Sequence, residues 1–529
     1  MRDDGTTSRA QVSREVPGAM AWSLVAKVLV SLLAIGSNVL IVRGLGEYAY
    51  GVYSIYLNIA RFFSLGIGLG LAQAVLRFLP ELRVRQDGRG TRQLLLRSLW
   101  LQLIGWAVVI VAAYLLRGWL SDLQHADLST ILPLGAVLLV FENLWTLLTS
   151  VYTALRRMRW LTIASVAQKA ALVALLLWLV RDGAEVRGVI YVVAGSFCFG
   201  ILLLAPRLRA LMPWIRDAEG EGMPLKRTAG YALPIALGAL INQVLWRSSE
   251  TLVIGYFHDP AQVGFYNAAY NLGQMILEFV PLAIWPVVLA TLSETDTHGG
   301  DGLRRGIRLY FRLLFVLVVP VSLTGFVFGG QAYDVLYGAP MAAGMPVCQA
   351  FFLVFMLGFF ATPLRMALYV RERTIANLLI AAGGAALNVT LDLLLIPPLG
   401  IWGGVWAVAA ALAASAIAQY VVSRRYVRGL AVPWSDLARV LAASAVVLPF
   451  WFVRTALRGP IAVGGAIALA LLAQFLMMRA LRVFGPEERA LLLGSHLPFK
   501  RGIVWLLGAS GEPPEPPGAA PRGRDDGGG

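Results

Sequence analysis

Apolar stretches of about 20 residues, separated by short polar connections, recur from near residue 20 to residue 480. A stretch of that length crosses the roughly 30 Å hydrocarbon core of a bilayer as one α-helix. The pattern predicts 14 spans, centred near residues 32, 63, 107, 140, 170, 197, 243, 277, 319, 358, 386, 412, 444 and 470. The longest polar connections run only about 15–25 residues, which leaves no room for a soluble domain between spans.

Polar residues inside the spans repeat at helical spacing and so share faces. Lys27, Ser31 and Asn38 do so in span 1, and Ser54, Asn58 and Arg61 in span 2. Span 7 carries Gln243, Arg247 and Glu250, and span 8 carries Asn267, Asn271, Gln274 and Glu278 at i, i+4, i+7 and i+11. Span 5 adds Ser165 and Lys169, and span 11 adds Asn388 and Asp392. An isolated Asn or Gln is as well read as glue between helices. An intramembrane charge costs roughly 2.5–3.5 kcal/mol on insertion scales and marks function by default. Several charges on repeated stripes favour a water-filled cavity. Arg247 and Glu250 stand one turn apart and can pair, which lowers the cost of inserting both. Lys27, Arg61, Lys169 and Arg247 outnumber Glu250 and Glu278, so a cavity lined by all six is positive and suits an anion, with Arg suited to phosphate oxygens. Glu142 either serves the same cavity or neutralises Lys169. Arg312, Arg365 and Arg439 lie near span ends, where they are expected to snorkel to the interface.

Composition agrees with the pattern. The 529 residues are 58% hydrophobic and 14% charged, with mean hydropathy +0.70, whereas a soluble protein carries about 25% charged residues. The net charge of +15 does not point to nucleic acid, because the basic residues sit in short loops beside spans. With the N-terminus inside, 32 of the 45 Lys and Arg fall in inner segments, 6 in outer loops and 7 within spans. That bias places both termini in the cytoplasm. The first 18 residues lead into a full span with no small-residue cleavage site, so no signal peptide is read. The tail from Gly511 has no apolar content and is expected to be disordered.

Several chemistries are disfavoured. No lysine follows a glycine, so no P-loop exists. The four histidines are dispersed, and Cys198 and Cys348 lie in apolar runs, so neither a metal site nor a cofactor is expected. Gly66–Gly70 reads GIGLG, but inside a span rather than after a strand.

An internal repeat is visible. Shifting the chain by 213 residues lays Gly51, Tyr53 and Asn58 on Gly264, Tyr266 and Asn271. Each copy follows a short outer loop, and spans 2 and 8 start an even number of spans apart, so both copies run the same way through the membrane. This is the signature of parallel repeats. The expected fold is an all-α polytopic membrane protein with 14 transmembrane helices, arranged as two parallel six-helix lobes plus two C-terminal helices. The expected divisions are a cytoplasmic N-terminal segment (1–18), an N-terminal lobe (19–210), a cytoplasmic linker (211–229), a C-terminal lobe (230–428), helices 13 and 14 (429–480), and a cytoplasmic tail (481–529).

The segment IVRGLGEYAYGVYSIYLNIARFFSLGIGLGLAQAVLRFLPE (Ile41 to Glu81) resembles the N-terminal signature of polysaccharide and O-antigen (Wzx-like) flippases. ALPIALGALINQVLWRSSETLVIGYFHDPAQVGFYNAAYNL (Ala232 to Leu272) resembles their seventh and eighth helices. These proteins belong to the multidrug/oligosaccharidyl-lipid/polysaccharide exporter superfamily, and the likeness extends over residues 18 to 480. The resemblance implies an alternating-access transporter, not an enzyme, that moves a polyprenyl-pyrophosphate-linked oligosaccharide across the bacterial inner membrane. It implies that Lys27, Arg61 and Arg247 receive pyrophosphate and sugar, and that Asn58, Asn267, Asn271 and Gln274 contact hydroxyls. Glu250 and Glu278 are the candidates for coupling to a proton or sodium. Polysaccharide polymerase and chain-length proteins are the partners implied. In the related lipid II flippases helices 13 and 14 form a groove for the polyprenyl tail, but the N-terminal signature of that branch is absent here. The alternatives are a multidrug or cation antiporter of the same superfamily, which needs an acidic cavity, and a membrane polysaccharide polymerase. A polymerase needs a large charged outer loop, whereas the longest here, Gln331 to Pro346, holds one charge, Asp334.

Overall fold

The computed structural model describes the backbone of residues 4–215, 220–243, 249–277, 302–427, 429–457, 459–481 and 483, and side chains from Leu29 onward except at 209 and 240–243. Every regular element among them is helical. The first helix, α1 (Asp4–Gly68), has 65 residues, which at 1.5 Å per residue gives roughly 100 Å, far more than one crossing needs. It is broken at Gly46, whose φ of 74° lies in the left-handed region that only glycine enters without steric cost. The break divides α1 into two limbs.

The chain continues through α2 (Leu71–Val84), α3 (Gly88–Leu123), α4 (Ile131–Ala154), α5 (Met158–Arg181), α6 (Val186–Leu204) and a short α7 (Leu208–Leu211). Then come α8 (Leu225–Gln243), α9 (Ser249–Phe257), α10 (residues 260–277), α11 (Gly302–Tyr337), α12 (Met345–Val370), α13 (Thr374–Leu399) and α14 (Ile401–Tyr426). Last are α15 (Trp434–Ser444), extended by a 3-10 segment (Ala445–Phe452), and α16 (Pro460–Ala480). Eleven stretches among the described residues are long and apolar enough to cross a membrane. The protein is an all-helical, multi-pass membrane protein.

The outward faces fit a lipid solvent. On α3, Trp100, Ile104, Val108, Val111, Leu115 and Trp119 are all more than half exposed and recur every three or four residues, so one apolar stripe faces away from the protein. Inward, α1 to α6 pack chiefly on one another, and α9 and α11 to α14 do likewise. The two sets meet where α1 and α2 touch α8 and α9. Helices α15 and α16 lie against α11. Arg312 differs from its expected snorkelling. It reaches Asp436 at 3.4 Å and donates to the Val483 carbonyl at 3.0 Å, so a nearby carboxylate and a backbone carbonyl just beyond α16 hold it. Gln474 on α16 donates to Thr324 on α11 at 2.7 Å.

The connection into α8 is tied to the α2–α3 turn. Asp87 caps α3 by accepting from the Gly90 amide at 2.6 Å, and its second oxygen accepts from the Gly222 amide at 3.1 Å. Gln93 accepts from the Met223 amide at 2.9 Å, and Arg227 pairs with Glu81 at 3.0 Å. Removing the Asp87 carboxylate strips both the helix cap and the strap of their acceptor. Asp87→Ala is therefore expected to cost about 2 kcal/mol, read as a lower melting temperature of the purified protein. An unchanged melting temperature would show that water replaces both bonds.

Candidate functional site

The second limb of α1 sets Tyr50, Ser54, Asn58 and Arg61 at i, i+4, i+8 and i+11, on one face. Tyr50 is 2% exposed and lies within electrostatic reach of the Asn38, Ser54 and Asn271 side chains. Tyr337 donates to Asn38 Oδ1 at 3.0 Å, and Asn58 Nδ2 donates to the Ser54 carbonyl at 2.9 Å. A polar seam thus joins α1, α10 and α11. Arg61, one turn beyond Asn58, is exposed although it lies within an apolar span. Glu142 on α4 lies within electrostatic range of both Arg61 and Lys169, and the Lys169 ammonium stands 6.0 Å from the Phe197 ring centre. Of these three charges two are positive and one is negative.

At one end of the seam the two helices approach through glycine. A Cβ on Gly51 would run into the Pro260 carbonyl, and one on Gly264 into the Glu47 carbonyl. These are the glycines that the 213-residue shift pairs. Each leaves room for the backbone at the start of the other's helical segment, Pro260 in α10 and Glu47 just after the break in α1.

Asn267 sits at the edge of the seam, 9% exposed, where it exchanges hydrogen bonds of 3.1–3.2 Å with Thr251 on α9. Glu250 is 2% exposed and faces α13, where Asn388 and Asp392 are fully buried. Asn388 Nδ2 lies 2.8 Å from Glu250 Oε1, 3.2 Å from Ser249 Oγ and 3.3 Å from Asp392 Oδ2. One amide nitrogen has two hydrogens, so Asn388 alone satisfies at most two of these three oxygens, and the Ser249 hydroxyl has a single further proton to offer the carboxylates. Asn388 Oδ1, Asp392 Oδ1 and the nearby Tyr266 hydroxyl have no hydrogen-bond partner. The cluster is rich in oxygen and short of protons.

Of the residues proposed from the sequence, Asn58, Arg61, Asn267, Asn271 and Gln274 therefore lie on the facing helices α1 and α10, and Glu250 lies apart against α13. Arg247 and Glu278 fall outside the described residues, as does the Lys27 side chain. Sequence alone does not assign Tyr50, Tyr337 or Asp392 to the site. Asn388 and Asp392 did show at i, i+4 in an apolar span, which is the available signal. The tyrosines carry none, because an aromatic residue in a span is ordinarily packing.

Long apolar helices in this order, with polar residues between them, are those of a polytopic membrane protein. Solved structures share the fold. The lipid II flippase MurJ in an inward closed conformation aligns with TM-score 0.66 at 13% identity, over 86% of this chain and 97% of that one. An inward-facing multidrug resistance MATE family transporter of the MOP superfamily aligns with TM-score 0.61 at 16% identity, over 77% and 98%. A MOP superfamily transporter from Pyrococcus furiosus, reported to have a binding pocket of reversed polarity, aligns with TM-score 0.57 at 14% identity, over 78% and 96%. No curated protein sequence matches the chain. The family model described as "Polysaccharide biosynthesis protein" matches residues 19–295, just over half of the chain. The chain belongs to that polysaccharide biosynthesis protein family.

Proposed function

We propose that the protein flips a polyprenyl-pyrophosphate-linked oligosaccharide across the bacterial inner membrane by alternating access, for O-antigen, capsule or exopolysaccharide biosynthesis. The observation that carries the reading is the exposed Arg61 at the end of the Tyr50–Asn58–Asn271 seam, a cation beside sugar-compatible amides and hydroxyls on two facing helices. The family match supports the cargo class. In this reading Lys27, Arg61 and Arg247 take the pyrophosphate, and Asn58, Asn267, Asn271 and Gln274 take sugar hydroxyls. The fourteen spans form two parallel six-helix lobes (19–210 and 230–428) with helices 13 and 14 added at 429–480, and both termini are cytoplasmic.

Glu250 couples transport to a proton or sodium, with Asn388, Asp392 and Ser249 completing its oxygen cluster. Two carboxylates with the neutral oxygens of Ser249 and Asn388 suit a monovalent cation or a proton. Glu278 remains the second candidate from sequence.

Arg61→Ala is expected to slow flipping of polyprenyl-pyrophosphate oligosaccharide in reconstituted vesicles at least tenfold, with melting temperature unchanged. Arg61→Lys keeps the charge without the planar fork and should retain part of the rate. Normal flipping by Arg61→Ala would remove the pyrophosphate role. Export of organic cations with no glycolipid flipping by the native protein would replace the flippase reading with the antiporter one.

A further inference from the structure

A cavity of about 380 Å³ lies between α8, α12, α13 and α14. It is separate from the α1–α10 seam. Its polar lining is Arg365, Tyr369, Thr374, Asn377, Ser415 and Gln419. Arg365 is exposed although α12 around it is apolar. Its side chain lines this space. Among the described residues no carboxylate pairs with it; the groups in its electrostatic range are Tyr369 and Tyr310. The rest of the lining is fixed from behind. Gln419 Nε2 donates to Asn377 Oδ1 at 2.7 Å, and Asn377 Nδ2 donates to the Arg365 carbonyl at 3.3 Å. The Ser415 hydroxyl is buried and has no partner.

Three features converge on a phosphate. Arg365 faces the cavity with no carboxylate partner among the described residues, so an anion entering it finds an uncompensated cation. Arg matches phosphate oxygens with a planar fork of donors. Thr374 is the first residue of α13, a helix of 26 residues, so orphan backbone amides at its N-terminus open beside the same cavity. The mouth adds a requirement for apolar chains. Leu378 belongs to the lining and is 51% exposed, and Leu237, next to the lining residue Gly238, is 59% exposed. Cavities of this size hold a single headgroup, and basic pockets between membrane helices are sites for anionic lipid headgroups.

We propose that the cavity between α8, α12, α13 and α14 binds the phosphate of an anionic phospholipid, with its headgroup on Arg365 and its acyl chains running out past Leu378 and Leu237. The lipid neutralises Arg365 and bridges α8 to α13, so local lipid charge sets how firmly these helices are joined. The site is independent of the transport reading, because it needs neither the glycolipid nor the ion.

The test uses the full-length protein in phosphatidylcholine vesicles with a trace of spin-labelled phosphatidylglycerol as probe. The native protein should hold one motionally restricted probe, displaced by unlabelled phosphatidylglycerol. Arg365→Gln should weaken retention at least tenfold, and Arg365→Lys should weaken it less. Gly238→Leu fills the cavity from a position where an added Cβ meets open space, keeps the charge, and should weaken retention as much. It therefore decides the matter if Arg365→Gln does not fold. Arg373→Gln removes a cation next to the lining residue Thr374 and should leave retention unchanged. Equal retention by the native protein and the Gly238→Leu and Arg365→Gln variants overturns the site. Complete displacement of the probe by millimolar inorganic phosphate would make this a soluble-anion site instead. Displacement by polyprenyl pyrophosphate at far lower concentration than by phosphatidylglycerol would make it a substrate subsite, and would equally overturn the proposal.

Discussion

Glu250→Gln combined with Asp392→Asn is expected to abolish the dependence of flipping on an ion gradient and to reduce gradient-driven transport by a hundredfold or more, while the protein still inserts and folds. The expectation rests on a count of donors and acceptors. Two carboxylates on α9 and α13 face each other through one amide group, and Asn388 Oδ1 and Asp392 Oδ1 are left without partners. Two bare carboxylates at this depth lose their hydration and repel each other, so the cluster needs a bound cation or a proton. Both substitutions keep the shape, remove the charge and supply amide hydrogens, so the packing survives while the reason to bind an ion disappears.

The stability readout separates the two ions. A sodium ion bound only by the folded protein stabilises it by RT ln(1 + [Na]/Kd), about 2.7 kcal/mol at a hundred times Kd. The native protein should then melt higher in sodium than in choline, and the double variant should show no difference. A melting temperature that responds to pH but not to sodium assigns the role to a proton. Ion-gradient dependence identical to the native protein in the double variant, together with unchanged responses to sodium and pH, would give these acids a packing role and leave Glu278 as the candidate for coupling.

Parts of this arrangement are legible in the sequence for a simple physical reason. The length of each apolar run is set by the bilayer, and the polar stripes follow from the helical period, so the multi-pass helical fold and the faces of α1 and α10 can be read residue by residue. The 213-residue shift also picks out Gly51 and Gly264 before any contact between them is known. What the sequence withholds is the partner across each interface. Glu250 has Arg247 as its visible neighbour one turn away, whereas its buried contact is Asn388, 138 positions later. Arg312 reads as an interfacial cation, yet Asp436 and the Val483 carbonyl hold it. Arg365 reads the same way and turns into a cavity, because only the packing of α8, α12, α13 and α14 creates the space. The break at Gly46 is invisible for another reason: nothing in the local pattern marks it as the glycine among several that adopts a positive φ.

Gly51→Leu is expected to slow transport up to about thirtyfold by disfavouring closure of one end of the seam. In the structure the Gly51 backbone lies against the Pro260 carbonyl and the Gly264 backbone against the Glu47 carbonyl, and neither contact leaves room for a side chain. A leucine at position 51 meets backbone rather than a flexible side chain, so the closed contact must separate. Overpacking of this kind costs about 1–3 kcal/mol. Because only the closed state contains the contact, the whole cost falls on one side of the conformational equilibrium, and about 2 kcal/mol shifts that ratio roughly thirtyfold. Gly264→Leu should act in the same way, and the double variant should add little once the contact has parted. Gly36→Ala is the control, since its Cβ would enter open space in the first limb of the same helix. The measurement pairs glycolipid flipping with labelling of Ser54→Cys, one turn from Gly51, by a membrane-impermeant maleimide after Cys198 and Cys348 have been replaced. Ser54 is 4% exposed, so slow labelling is expected with glycine at position 51 and fast labelling with leucine. Slow labelling and normal flipping in a well-folded Gly51→Leu protein would mean that this glycine contact is not a gate, and would leave alternating access at this end without a structural basis in α1 and α10.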